Sequence, residues 1–166
     1  MNERAPAPGG LALVEALVNT LDVETGADAL ETTEGRGRFG LAEHDVDAAR
    51  ELREALRTAC LAHAGHAAPP GSLERLLSDA PLLVVLDEKG AAALRPADPT
   101  ALASRVAVAI ADARADGTWL RLKACEAEDC RWAYYDRSPA GRSRWCSMAV
   151  CGSRAKMRTY RARKGG

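Results

Sequence analysis

Four of the chain's five cysteines lie in two equally spaced pairs near its C-terminal end. Four residues separate Cys125 from Cys130 and Cys146 from Cys151, and fifteen residues separate the two pairs. Two turns that each supply two thiolates can complete the tetrahedron of a structural Zn²⁺ site, and fifteen residues are enough to bring the chain back. The spacing therefore predicts a zinc site made by Cys125, Cys130, Cys146 and Cys151.

Two other uses of four cysteines stay open at this point. Two disulfides would suit the even number but need an oxidising compartment, and a 4Fe–4S cluster also takes four thiolates. The N-terminal stretch MNERAPAPGG lacks the apolar segment of a secretory signal, so we expect a cytoplasmic protein and favour zinc. We interpret the fifth cysteine, Cys60, as a small buried apolar residue of a helix.

The formal charge of zero conceals a division of charge along the chain. Residues 121–166 carry twelve Lys and Arg against four Asp and Glu, or +8, which leaves eleven against nineteen, or −8, for residues 1–120. A zinc ion with four thiolates would lower the C-terminal figure to about +6. This division predicts that only the C-terminal end binds nucleic acid, and an attraction between the acidic body and its own tail is the alternative.

Many of these cations fall on a predicted helix over about residues 152–163. Arg154, Arg158 and Arg161 share one face of it, and no acidic residue lies among them. A charged helix face is usually just solvated, but uncompensated like charges destabilise a helix unless a polyanion meets them. We predict phosphate contacts from this helix and from the segment before it, through Arg137, Arg142, Arg144, Arg154, Lys156, Arg158, Arg161 and Arg163.

The predicted order of the C-terminal module is a cysteine knuckle, a hairpin, and a second cysteine pair at the start of a helix. The hairpin would pair residues 131–135 with residues 142–145 across a turn at 136–141. This order resembles a treble-clef finger, and zinc would stabilise a module too small to fold by burial alone. We expect Trp132, Tyr134 and Trp145 to pack its core, with base stacking as the alternative for one of them.

The segment from Cys125 to Arg163 resembles the CGNR zinc finger family of bacterial proteins. Besides the cysteines, the resemblance rests on Tyr135-Asp136-Arg137-Ser138, on residues 142–148 and on residues 151–156. Ser153 stands where the family's name has Asn, but both side chains are short, polar and able to cap a helix. In that family the finger follows a mostly helical ABATE domain, and members are regarded as stress-induced transcription regulators. The opening of that domain resembles Val18-Asn19-Thr20-Leu21-Asp22 of this chain.

We therefore expect a mainly α fold with a small β-hairpin. The expected parts are a disordered lead-in over residues 1–10, a helical ABATE-like domain over residues 11–120 and a CGNR-type finger over residues 121–166. Apolar spacing predicts helices over residues 11–21, 45–63, 72–79 and 98–115, with Ser72 and Asp98 as N-caps and a break at residues 67–71. Residues 82–86 and 91–95 are predicted to form a hairpin, residues 24–40 a loop, and Asn19 is predicted to pin a turn.

The sequence contains no P-loop, no dinucleotide-binding glycine pattern and no nucleophile elbow, so we expect no enzyme and no catalytic residue. His63 and His66 could share a metal, but a solvated pair at a helix end is the favoured interpretation. The expected function is a zinc-dependent, DNA-binding transcription regulator, and an RNA-binding or protein-interaction module is the alternative. Duplex DNA is the expected partner. A small-molecule effector that binds the body and a homodimer are left open. No apolar stretch is long enough to suggest a membrane partner.

Overall fold

A computed structural model describes residues 5–164 of the chain, apart from residues 68 and 70. Residues 1–4 of the predicted lead-in, residues 68 and 70 of the predicted break and residues 165–166 of the predicted finger therefore lie outside the described residues. The helices are α1 (Leu11–Val18), α2 (Thr33–Gly37), α3 (Val46–Ala62), α4 (Ser72–Leu77), α5 (Leu102–Ala115) and α6 (Ser153–Lys164). The strands are β1 (Leu82–Leu86), β2 (Ala92–Pro96), β3 (Leu122–Ala124) and β4 (Ala133–Tyr135).

The main core lies between α1, α3 and α5, each of which presents an apolar stripe at helical spacing. On α1 the stripe is Leu11, Val14, Leu17 and Val18, all buried, as the sequence predicts. Gly10 allows the start of α1 to approach α5 closely, because a Cβ at this position would lie 2.8 Å from the Cβ of Ala109. No helix within the described ranges is both long and apolar enough to span a membrane.

The predicted helix starts in the body were wrong in detail. Gly71, with a φ of 87°, precedes α4, and Ser72 is its first residue rather than its N-cap. Asp98 closes a turn by accepting hydrogen bonds from the amides of Thr100 (2.8 Å) and Ala101 (3.3 Å), so that α5 begins only at Leu102. The loop predicted for residues 24–40 also contains the short helix α2, which begins after a Thr32 side-chain cap.

The prediction of a disordered lead-in does not fit residues 5–10, which the structure ties to the body and the C-terminal module through Ala7 and a few hydrogen bonds. Ala7 is buried in the main core, and its amide donates a 2.6 Å hydrogen bond to the Glu15 carboxylate of α1. The Arg137 guanidinium donates to the carbonyls of Ala5 (2.9 Å) and Pro6 (2.7 Å). These contacts join the start of the chain to both the body and the C-terminal module.

The β3–β4 hairpin forms a wall between two apolar cores. Cross-strand partners share a face, so Leu122 and Tyr135 point one way while Lys123 and Tyr134 point the other. Leu122 belongs to the main core and Tyr135 packs against it, whereas Tyr134 is buried among the cysteines. The hairpin predicted between residues 131–135 and 142–145 was wrong: β4 pairs with β3, and residues 142–145 form no strand.

Candidate metal centre and basic helix

The four predicted ligands form one cluster, in which all the sulfur atoms lie within 4.8 Å of one another. The Cys130 and Cys146 sulfurs are 3.6 Å apart, and the Cys146 and Cys151 sulfurs are 3.7 Å apart. Four thiolates at about 2.3 Å from a tetrahedral Zn²⁺ would be separated by about 3.8 Å, so the cluster fits that ion. All five cysteines are free, and Cys60 is buried in the main core away from this cluster, as predicted.

The first pair of cysteines lies on the turn that joins β3 to β4. The Cys125 amide donates to the Trp132 carbonyl (2.9 Å), and the amides of Cys130 and Arg131 both donate to Ala127 (3.0 Å each). Arg131 has a φ of 53°, a left-handed conformation that non-glycine residues seldom adopt. The strand pairing and this tight turn together direct both sulfurs to the same point.

The second pair is brought together by a π turn over Met148–Gly152. The Gly152 amide donates to the Ser147 carbonyl five residues earlier (3.0 Å), and Cys146 and Cys151 are also five residues apart. This spacing explains why four intervening residues, rather than two or three, suit the site. A Cβ at Gly152 would lie 2.9 Å from the Met148 sulfur and 3.2 Å from Trp145, so a larger residue here would require the Met148 side chain to move.

Ser153, the residue that departs from the family's name, is the first residue of α6. Its hydroxyl donates a 3.1 Å hydrogen bond to the Met148 carbonyl, and this bond connects the start of α6 to the first residue of the π turn. A short hydroxyl is therefore compatible with the fold at this position, as we expected.

Without a bound metal ion, the pKa of each thiol in the cluster depends strongly on the protonation of its neighbours. Hydrogen bonds from the thiols of Cys130 and Cys146 lower the pKa of Cys125, whereas donation to Cys125 raises the pKa of Cys130 and of Cys146. Burial raises the pKa of Cys151. One thiolate is thus stabilised by neighbours that stay protonated, and a bound divalent cation would reverse this preference and deprotonate all four.

The long turn after β4 is held by Asp136, whose side chain is fully buried. Its carboxylate accepts from Lys123 Nζ (3.0 Å) and from the amides of Ser138 (3.0 Å) and Ser143 (2.8 Å). Burial alone would raise the pKa of Asp136, but the hydrogen bonds from Ser138, Lys123 and Ser143 together lower it. The Asp136 carboxylate is therefore a structural anchor that fixes the path from β4 to the second cysteine pair.

Asn19 and His63 connect the body to this module. Asn19 Nδ2 donates to the Ala133 carbonyl (2.9 Å), and Asn19 Oδ1 accepts from the Ala133 amide (2.7 Å). His63 Nδ1 lies 2.7 Å from the Leu122 carbonyl, and burial lowers the pKa of His63. Asn19 thus pins two distant segments rather than a turn, and the favoured interpretation of His63 as a solvated residue was wrong.

Four of the eight predicted nucleic-acid contacts are occupied by protein groups. Arg137 binds the N-terminal carbonyls, and Arg144 contacts Glu126 at 2.5 Å. Arg154 lies 3.3 Å from Glu24 of the body and 3.9 Å from Asp129, and Arg158 lies 3.5 Å from Asp129. Acidic residues from other elements thus neutralise Arg154 and Arg158, two of the three cations on the face that α6 itself leaves unpaired.

The other four predicted contacts are exposed side chains without an ion pair or hydrogen bond among the described residues. These are Arg142, Lys156, Arg161 and Arg163. Lys156 and Arg163 are seven residues apart and share a face of α6. A phosphate could reach them without first displacing an acidic side chain.

The sequence analysis missed Lys123, Asp136 and Ala133 as residues that build the site. The segments Leu122-Lys123-Ala124 and Ala133-Tyr134-Tyr135 have only three residues each, so little in the sequence indicated these strands. The aromatic prediction is confirmed, since Trp132, Tyr134 and Trp145 pack around the cysteines.

A search of curated proteins found no match to the chain. The resemblance of residues 11–120 to the ABATE domain therefore stays a prediction. The C-terminal resemblance is confirmed, because residues 121–164 match the family model of the CGNR zinc finger.

Proposed function

We propose that this chain is a zinc-dependent, DNA-binding transcription regulator in which Zn²⁺ joins the two cysteine pairs and α6 contacts duplex DNA. The observation that carries the proposal is the position of α6, which starts two residues after the last cysteine of the cluster. This helix carries six Lys and Arg, no acidic residue and no buried side chain. Glu24 and Asp129 face Arg154 and Arg158, and the remaining cations are available to a polyanion.

Zinc would supply the attachment that the exposed helix lacks. A helix of twelve residues is marginal in water by itself, and α6 buries no residue against the body. Metal bound by Cys125 and Cys130 on the wall and by Cys146 and Cys151 beside α6 would fix the start of the helix. Structural zinc sites contribute about 10–16 kcal/mol of apparent binding energy in small fingers, which is ample for this task.

The free cations define the face that would meet DNA. Lys156 and Arg163 share one face of α6, Arg161 lies on the face of Arg154 and Arg158, and Arg142 lies on the preceding segment; all four can bind phosphates directly. Arg154 and Arg158 already face Glu24 and Asp129, so any contribution they make to DNA binding competes with those ion pairs. We therefore assign the main phosphate contacts to the first group.

The test is binding of the zinc-loaded full chain to a labelled duplex, measured by fluorescence anisotropy over a series of salt concentrations. Each lost phosphate contact should lower the slope of log affinity against log salt by about 0.9. We expect Lys156→Gln with Arg163→Gln to lower it by about 1.8. The matched control, Arg95→Gln with Arg114→Gln, removes two exposed cations of the body and should leave the slope unchanged.

Absence of salt-dependent binding by the wild-type protein would refute the proposal. An equal loss in the body control would instead show that net charge, rather than the face on α6, determines binding.

A protein-interaction role has one observation in its favour. Met148 and Val150 on the π turn and Met157 and Tyr160 on α6 are large apolar side chains that are about half exposed. Substitution of Met148 and Val150 by Ser would leave phosphate contacts intact. Unchanged DNA affinity combined with loss of a co-purified protein would select this second role.

For the effector of the body, we propose a cleft of about 280 Å³ where α1 faces the module. Glu15, Asn19, Arg38 and Trp132 contribute to its lining, so a ligand there would contact both regions. Quenching of tryptophan fluorescence by candidate small molecules, lost on Arg38→Met, would support this part of the proposal. Quenching that Arg38→Met leaves unchanged would reject this cleft as the site.

A further inference from the structure

The β1–β2 hairpin exposes apolar side chains on both of its faces. Val84 and Leu86 of β1 are each 69% exposed, and Leu83 and Val85 on the opposite face are also exposed. The hairpin forms a two-stranded sheet, in which β1 has β2 as its partner on one side. Such an apolar strand edge is a template for pairing with another chain.

The register shows which main-chain groups point away from β2. Bonds from Asp87 N to Ala91 O and from Ala97 N to Pro81 O, each 3.0 Å, bracket the paired strands. Because bonded and non-bonded pairs alternate in an antiparallel ladder, the N–H and C=O groups of Leu82, Val84 and Leu86 point outward. No main-chain partner for them occurs among the described residues.

The two edges of the hairpin differ in how they resist pairing. On β2 the outward positions include Pro96, which has no N–H to donate, and the neighbouring Arg95 adds a charge. Leu82–Leu86 of β1 contains neither a proline nor a charged residue. Proline and charge are devices that protect sheet edges, so β1 is the unprotected edge.

We infer that β1 pairs with β1 of a second copy of this chain, antiparallel and centred on Val84, so that two hairpins form a four-stranded sheet. An antiparallel edge is complementary to itself about a two-fold axis, with Leu82 opposite Leu86 of the second copy and about six hydrogen bonds between the strands. Asp87 would lie opposite Pro81, and Glu88 opposite Ala80, so no acid opposes an acid.

The apolar faces of the two hairpins would become continuous across this pair, and their exposed Leu and Val side chains would shelter one another. Two paired five-residue strands bury less than the area typical of stable dimers, so we expect a weak dimer. The inference is independent of DNA binding, since it involves neither α6 nor the cysteines.

The test is sedimentation equilibrium of the full chain from about 1 to about 500 µM, a range that spans weak association. The mean mass should rise from 17.6 kDa toward about 35 kDa. Val84→Pro removes an outward N–H but no bond to β2, so the variant should fold and remain monomeric. Val84→Lys, which places two charges at the two-fold axis, should also remain monomeric.

The matched control is Ala92→Pro, the same chemical change at an outward position of β2, which should dimerise like the wild type. Far-UV circular dichroism checks that each variant is folded. The inference is overturned if the wild type stays at 17.6 kDa, if both Val84 variants dimerise as strongly as the wild type, or if Ala92→Pro is equally monomeric.

Discussion

The two halves of the matched finger segment are attached to the rest of the chain in opposite ways. The β3–β4 half contributes Leu122, Ala124 and Ala133 to the main core and is bonded to Asn19 and His63 of the body. In the other half, the helix α6 buries no residue and reaches the body through the exposed ion pair between Arg154 and Glu24. The boundary of the family match at residue 121 is therefore not a boundary of packing.

This difference means that the two cysteine pairs depend on the metal to different degrees. The first pair lies on a turn that strand pairing and core burial already hold in place. The second pair lies next to an exposed helix, whose position depends on whatever joins the sulfurs. Removal of the metal should thus change the stability of the body and of the β3–β4 wall little, but should release α6 from its position.

The largest effect is expected from Cys146→Ser. Losing one of four thiolates should abolish stoichiometric zinc and release α6, because the metal's binding energy is also its folding energy. The body and the β3–β4 wall should keep their helicity and tertiary signals. Metal analysis, far-UV circular dichroism and limited proteolysis after residue 152 measure these three outcomes.

The control for this variant is Cys60→Ala, which creates a small cavity in the main core but should retain one equivalent of zinc. If Cys146→Ser unfolds the whole chain, the metal supports both halves equally and the proposed contrast is wrong.

Asp136→Asn should have the next largest effect, about 3–5 kcal/mol lost from the free energy of unfolding, because the buried Lys123 ammonium keeps the Gly141 carbonyl but loses its counter-charge. The lowered pKa of Asp136 means that the wild type has this stabilisation above the unfolded pKa, near 3.8, and loses it as pH falls through the folded pKa. The variant should show a shallower loss of stability in acid, measured by urea denaturation across pH. An unchanged acid dependence would show that this carboxylate does not stabilise the fold.

Asn19→Ala should cost about 2–3 kcal/mol, because both main-chain groups of Ala133 lose their partners. Since the wall belongs to the main core, tryptophan fluorescence and far-UV signals should shift together in urea. Asn19→Asp keeps an acceptor for the Ala133 amide but places a carboxylate oxygen against the Ala133 carbonyl, so it should not restore the lost stability. Separation of the two transitions in the wild type would contradict the shared core.

The smallest effect is expected from Glu24→Gln, which frees Arg154 from the body. Exposed ion pairs contribute little to stability, so DNA affinity should rise only by about 1.5–5-fold. Glu34→Gln makes the same change in charge elsewhere on the body and should raise affinity less. Equal effects of the two substitutions, measured by anisotropy, would remove any special role for the Glu24 contact.

Local patterns made the site predictable, and distant pairings did not. The spacing of the cysteines and the apolar stripes of α1 and α3 depend on residues a few positions apart, and the structure has both. The partner of β4 was missed because Leu122–Ala124 is only three residues long, too short for a clear alternation. The acidic partners of Arg154 and Arg158 come from other elements and leave no trace on the helix sequence.

The π turn has a consequence for how this finger can change. Successive residues of a helix are about 100° apart around its axis. Deleting one residue between Ser147 and Val150 would force an ordinary turn and swing every side chain of α6 by roughly that angle. Lys156 and Arg163 would then point in a different direction relative to the metal site. The length of this turn therefore determines which way the free cations of α6 face.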